Sequence, residues 1–113
     1  GFACYSFSKT LKAHRLEREV VASIKKHSKN ESIYSFFVDQ SFPSYGITNK
    51  VHNFFMEDYS QFETGALVVF NEQQFKQQWK GHRVMNNWNR LCASKDLDTL
   101  EVLTDNWIIY RIH

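Results

Sequence analysis

Only one proline and four glycines occur among the 113 residues. That scarcity excludes a collagen-like segment, a proline-rich linker and a glycine-rich disordered tail. It also leaves little material for backbone loops that cradle phosphate. No GxSxG, HExxH or CxxC occurs in the chain, so no motif for nucleophilic, zinc-dependent or dithiol chemistry is present. No apolar run reaches the roughly eighteen residues a membrane-spanning helix requires. The formal net charge is only +2, too weak by itself to predict a nucleic-acid partner. These absences predict a domain without catalytic residues, cofactor or metal.

Aromatic residues, in contrast, are abundant: ten Phe, five Tyr and three Trp, or 16% of the chain. They are enough to fill the core of one domain spanning residues 1–113 and to leave some over. Surplus aromatics on a small sheet commonly form a partner surface or a ligand pocket. Tyr34, Phe36, Phe54, Trp79, Trp88 and Trp107 are the candidates for that surface.

The strongest β signal is the C-terminal run LDTLEVLTDNWIIYRIH. Leu97 to Thr104 and Trp107 to Ile112 flank Asp105 and Asn106, two residue types that tolerate the positive φ of a two-residue type I′ turn. That turn predicts a hairpin in which Leu103 faces Ile108, Val102 faces Ile109 and Glu101 faces Tyr110. The clearest helix spans residues 9–29, with Ser8 as N-cap. Ala13, Leu16, Val20 and Ile24 recur at spacings of three and four, with Val21 widening the stripe. Lys25, Lys26, His27 and Lys29 gather at its C-terminal end, where the helix dipole favours cations. Arg15 and Glu19 are placed for an exposed ion pair.

Ser32 to Val38, Tyr45 to Tyr59 and Phe62 to Phe70 read as extended, with a bend near Asn49 and a bulge at Gly65. Asn71 and Gln74 have a capping-box layout ahead of a short helix carrying Phe75 and Trp79, which Gly81 ends. Residues 82–92 read as a strand or irregular segment, with a turn at Asn86-Asn87; a helix would group Met85, Trp88, Leu91 and Cys92. The predicted class is α+β. A long N-terminal amphipathic helix covers a mainly antiparallel sheet of five or six strands, with room to curl, a second short helix and a C-terminal hairpin.

Cys4 and Cys92 are the only cysteines. Their wide separation suits one disulfide, worth about 4 kcal/mol on a loop-entropy basis, and with it an oxidising compartment. Two idle thiols are the alternative. The apolar start GFACYSF and the missing initiator Met fit either an ordinary first strand or the residue of a removed signal or membrane segment. Five histidines titrate in the range where partner binding can respond to pH; His52 and His82 are the candidates.

Together these features predict a non-enzymatic binding or sensing domain. The expected setting is the extracytoplasmic, periplasmic part of a small bacterial regulator or co-regulator tethered to the inner membrane by a segment preceding Gly1. It would act by binding a partner protein, modulated by a small apolar ligand or by pH. A cytoplasmic inhibitor or immunity-type interaction protein is the second reading, and a small-pocket enzyme the third. Nucleic acid is not an expected partner.

Overall fold

A computed structural model describes the backbone of residues 2–36 and 39–113, and the side chains of residues 15–36 and 42–113. Helix α1 covers Phe2–His27. Nothing in FACYSF breaks a helix, so α1 runs through Ser8, which is interior and not the predicted cap. The predicted stripe is the packed one: Val20, Val21 and Ile24 are buried and Leu16 lies against them. Ala13 and His14 are outside the described side chains. The Arg111 guanidinium donates to the His27 carbonyl, which satisfies an orphan acceptor and places a cation at the negative end of the helix dipole. Glu19 faces the hairpin rather than Arg15, accepting a hydrogen bond from the Thr104 hydroxyl.

Five strands form an open mixed sheet. They are β1 (Ile33–Ser35), β2 (Val51–Asn53), β3 (Leu67–Phe70), β4 (Leu97–Val102) and β5 (Ile108–Ile112), in the order β2-β1-β3-β5-β4. β1 runs parallel to both β2 and β3, whereas β3–β5 and β5–β4 are antiparallel. The sheet is therefore only half antiparallel. Residues 36–50 and 54–66 are each long enough to return the chain to the same end of the sheet, as a parallel crossover requires. The first of these contains a 3-10 segment, Asp39–Tyr45, where a loop is predicted.

Register and side-chain contacts separate two apolar faces. Ile33, Leu67, Val69 and Ile109 share the side on which Arg111 and Glu101 meet α1. Tyr34, Val68, Phe70 and Tyr110 share the other side, where Phe70 and Tyr110 meet Trp88. Two further helices cover that second side: α2 (Glu72–Gln78) and α3 (Arg83–Ser94). The result is an α+β domain in three layers, with β3 buried along its whole length.

Asn71 caps α2 as predicted, its side-chain oxygen accepting the Gln74 N–H at 3.1 Å. Gly81, at φ +81°, turns the chain between the helices. Residues 83–94 are a helix, not the predicted strand or irregular segment. Val84, Met85, Asn87, Trp88 and Leu91 form its buried side. Asn87 therefore sits inside the apolar stripe, and Asn86-Asn87 is no turn.

The C-terminal hairpin forms with positive φ at both expected residues, Asp105 at 58° and Asn106 at 66°. Its loop is wider than two residues: the Leu103 N–H donates to the Trp107 carbonyl at 2.6 Å. The register accordingly becomes Val102 with Ile108 and Glu101 with Ile109, and a bulge at Leu100 then places Thr99 opposite Tyr110. A one-residue slip exchanges faces, so Glu101 shares the α1 side with Ile109.

Candidate functional site

Of the six aromatics predicted to form a surface, four are core. Tyr34, Phe54, Trp88 and Trp107 are all buried. Tyr34 stacks on Phe54 with centroids 5.7 Å apart. Trp88 stacks on Phe70 at 4.3 Å and 7°. Trp107 meets the edge of Phe75 at 5.8 Å. The physical reason is the second helical layer: a sheet covered on both sides consumes the aromatics that one apolar face would leave over.

Phe36 and Trp79 stay half-buried, and Phe55 joins them. Phe55 lies 5.4 Å from Phe36, 5.0 Å from Trp79 edge-on, and 4.5 Å from His82, on which it stacks at 21°. The edge of Trp79 also meets His82 at 5.5 Å. Met56 follows Phe55 and is 66% exposed. Phe36 leaves β1, Phe55 follows β2 and α2 springs from β3, so the cluster lies beyond the carboxyl ends of the three parallel strands. The chain leaves β1 for a crossover that passes near Lys25 of α1 at Gly46, and leaves β3 for the helices on the other side. Strand ends where successive connections diverge to opposite faces are the usual place for a binding crevice in a parallel sheet.

Local hydrogen bonds hold this edge in shape. The Asn87 side chain is fully buried and donates to the carbonyls of Phe54 at 2.8 Å and Glu57 at 2.7 Å. Its oxygen accepts the Tyr59 N–H at 2.7 Å. Asn53 accepts the Phe55 N–H at 2.8 Å. Arg83 donates to the Met56 carbonyl at 3.0 Å and pairs with Asp58 at 3.3 Å. Arg90 donates to the Tyr59 carbonyl at 3.3 Å. Residues 54–59 thus form a braced loop whose apolar tip is Phe55 and Met56. Neither Phe55 nor Met56 stood out in the sequence, and Asn87 was read only as part of a turn. The available signal was a lone Asn in the phase of Val84, Trp88 and Leu91.

The two candidate histidines do not meet. His82 caps α3, its Nδ1 accepting the Val84 N–H at 3.2 Å. That bond leaves Nε2 as the only ring nitrogen free to donate from the neutral imidazole. His52, on the edge strand β2, stacks on Tyr34 at 4.9 Å and meets Tyr59 edge-on at 5.5 Å. Burial, then the neighbouring Lys50, hold its pKa below the ordinary value against the pull of Glu63 and Glu57. Burial, reinforced by Glu57, pushes the Tyr59 phenol up to about 12. Both rings are therefore neutral near pH 7 and act by packing.

Cys92 is exposed on α3; partial desolvation, then the charge of Glu72, holds its thiol above the ordinary value against the pull of Lys76. Cys4 is outside the described side chains, so its predicted bridge to Cys92 stays an expectation. Among the described residues, no group of His, Cys, Asp and Glu is placed to hold a metal ion. No described helix is long and apolar enough to cross a membrane. No protein-family model, curated protein or solved structure matches the chain.

Proposed function

We propose that this chain is a non-enzymatic binding domain that docks a protein partner on the edge formed by Phe55, Met56, Trp79 and His82. The observation that carries this reading is Met56, 66% exposed at the tip of a loop that is hydrogen-bonded to buried Asn87. Met56 beside half-buried Phe55 and Trp79 offers apolar area that a partner would remove from water. Its neighbours have the composition of an interface centre, with Trp, Phe, Met and Arg together. Bracing lowers the entropy lost on docking. Binding is favoured over catalysis because His82 commits one ring nitrogen to a helix cap and the exposed charges beside it, Arg83 and Asp58, are paired with each other.

The periplasmic setting and role in a regulator or co-regulator extend this proposal on sequence grounds alone: two distant cysteines suited to an oxidising compartment. A small apolar ligand shielding the Phe55–His82 stack would act at the same edge.

Site-specific photocrosslinking in the producing cell tests the reading. A benzophenone side chain at position 56 should give one discrete protein adduct, while the same group at Thr64, outside the patch, should give none. Introducing Trp79→Ala alongside the probe should reduce the adduct. Equal labelling from both positions, or none from position 56, would overturn the assignment.

A further inference from the structure

The α2–α3 layer carries a second feature, where α2 and the link at Gly81 meet α3. Lys76, Lys80, Gly81, Met85, Asn86 and Asn89 line an open groove of about 550 Å³, a size suited to a small ligand. The lining residues supply two ammonium groups and two carboxamides, and among the described residues only Lys80 brings an uncompensated charge. Lys76 is held by Glu72 at 2.5 Å. Lys80 has no ion-pair partner among the described residues. Met85, only 7% exposed, is the apolar floor. At Gly81 a Cβ would meet nothing within 4 Å, so one end of the groove is unobstructed.

Three chemistries coincide here. An ammonium is a compact point charge suited to phosphate. A carboxamide offers a donor and an acceptor side by side, a pattern that pairs with an edge of adenine and equally of uracil, so preference for adenine rests on its larger ring over Met85. A methionine thioether packs well on an aromatic ring. We propose that the groove binds a nucleoside phosphate of the adenine type. The phosphate sits at Lys80 with Lys76 beside it, the base covers Met85, and Asn86 and Asn89 take the base edge. The same unit can arrive as a free nucleotide or as one residue of a single strand. This groove adjoins the partner-docking edge at Lys80 and Gly81 but shares no residue with it, and its failure would leave that reading intact.

The test is a two-dimensional ¹H–¹⁵N titration of the intact chain with AMP, UMP, inorganic phosphate and a short oligoadenylate. AMP should shift amides of residues 76–89 saturably, and UMP should bind more weakly. Lys80→Gln should weaken AMP by about tenfold, the scale of one charge-assisted hydrogen bond. Asn86→Ala with Asn89→Ala should weaken AMP severalfold while leaving the weak binding of inorganic phosphate unchanged. All these positions except Met85 are exposed, so well-dispersed spectra of the variants should confirm an intact fold. Tighter binding of oligoadenylate than of AMP would identify the strand as the source, and tighter AMP binding the free nucleotide. Absence of saturable shifts with both AMP and oligoadenylate, equal shifts with inorganic phosphate alone, or an unchanged AMP affinity in Lys80→Gln would overturn the proposal.

Discussion

The side-chain oxygen of Asn87 accepts the backbone N–H of Tyr59 at 2.7 Å, tying helix α3 to the loop that presents Phe55 and Met56. The same carboxamide donates to Phe54 and Glu57. A buried amide with every group paired is favourable, but cutting it back leaves two carbonyls and an N–H without partners. Asn87→Ala should therefore lower the unfolding free energy by about 2–4 kcal/mol. Asn87→Asp can still accept from Tyr59 but, ionised, donates to neither carbonyl and sets a negative oxygen against both, so it should also destabilise. Urea unfolding measures both. A loss below about 0.5 kcal/mol for Asn87→Ala, the scale of an ordinary surface substitution, would show that the loop does not depend on this residue.

Asp105 occupies the left-handed region at φ 58°, and its carbonyl accepts from the Asn71 side chain at 2.8 Å. A β-branched residue there is strained. Asp105→Val should cost about 1–3 kcal/mol, while Asp105→Gly should be neutral or mildly stabilising because the carbonyl contact survives. Thermal melts of the pair should therefore move apart. Removing residues 105–113 is a harsher test. It deletes β5, which lies between β3 and β4, and should leave an unfolded or aggregating product.

This hairpin marks how far the sequence was legible. Positive φ at Asp105 and Asn106 follows from local backbone chemistry, so the turn site could be read directly. The register could not, because the Leu103–Trp107 closure and the Leu100 bulge depend on how β4 meets the rest of the sheet. β1 and β2 are three residues each, too short for alternation to reveal a parallel partner. Helix α3 was obscured by Asn87, a polar residue in the core phase whose partners lie far away in sequence. The candidate site was half legible for the same reason as the core. Trp79 and Phe36 were visible as aromatics, but which aromatics stay exposed is decided by a second helical layer that depends on α3.

His52 sets the sign of one pH effect. Its folded-state pKa is depressed, chiefly by burial and then by Lys50. The unfolded chain therefore takes up the proton first on acidification. Its contribution to stability is fully present above the ordinary value of 6.5 and is lost as pH falls through the lower folded value. His52→Phe preserves the stack on Tyr34 and removes the proton. The stability difference between His52→Phe and the parent should shift in favour of the variant as pH drops below 6.5. A constant difference down to about pH 5, over a range where imidazole titrates, would mean that His52 is not desolvated in the folded chain.

His82 performs two separable tasks, and two variants divide them. Its Nδ1 caps α3 at the Val84 N–H, and its ring stacks on Phe55. His82→Asn keeps a good cap and loses the stack; His82→Phe keeps the stack and loses the cap. A lost cap costs about 0.5–2 kcal/mol, and a lost aromatic pair about 0.5–1.5 kcal/mol beyond its buried area. His82→Phe should therefore destabilise α3 while leaving Phe55 in place, so the position-56 crosslink should persist in the folded fraction. His82→Asn should retain α3 but release Phe55, weakening the crosslink at little cost in stability. Hydrogen exchange across α3 and crosslink yield read the two tasks independently. If both variants change both readouts together, the cap and the stack form one cooperative unit, and the docking edge cannot be altered without disturbing the helix that supports it.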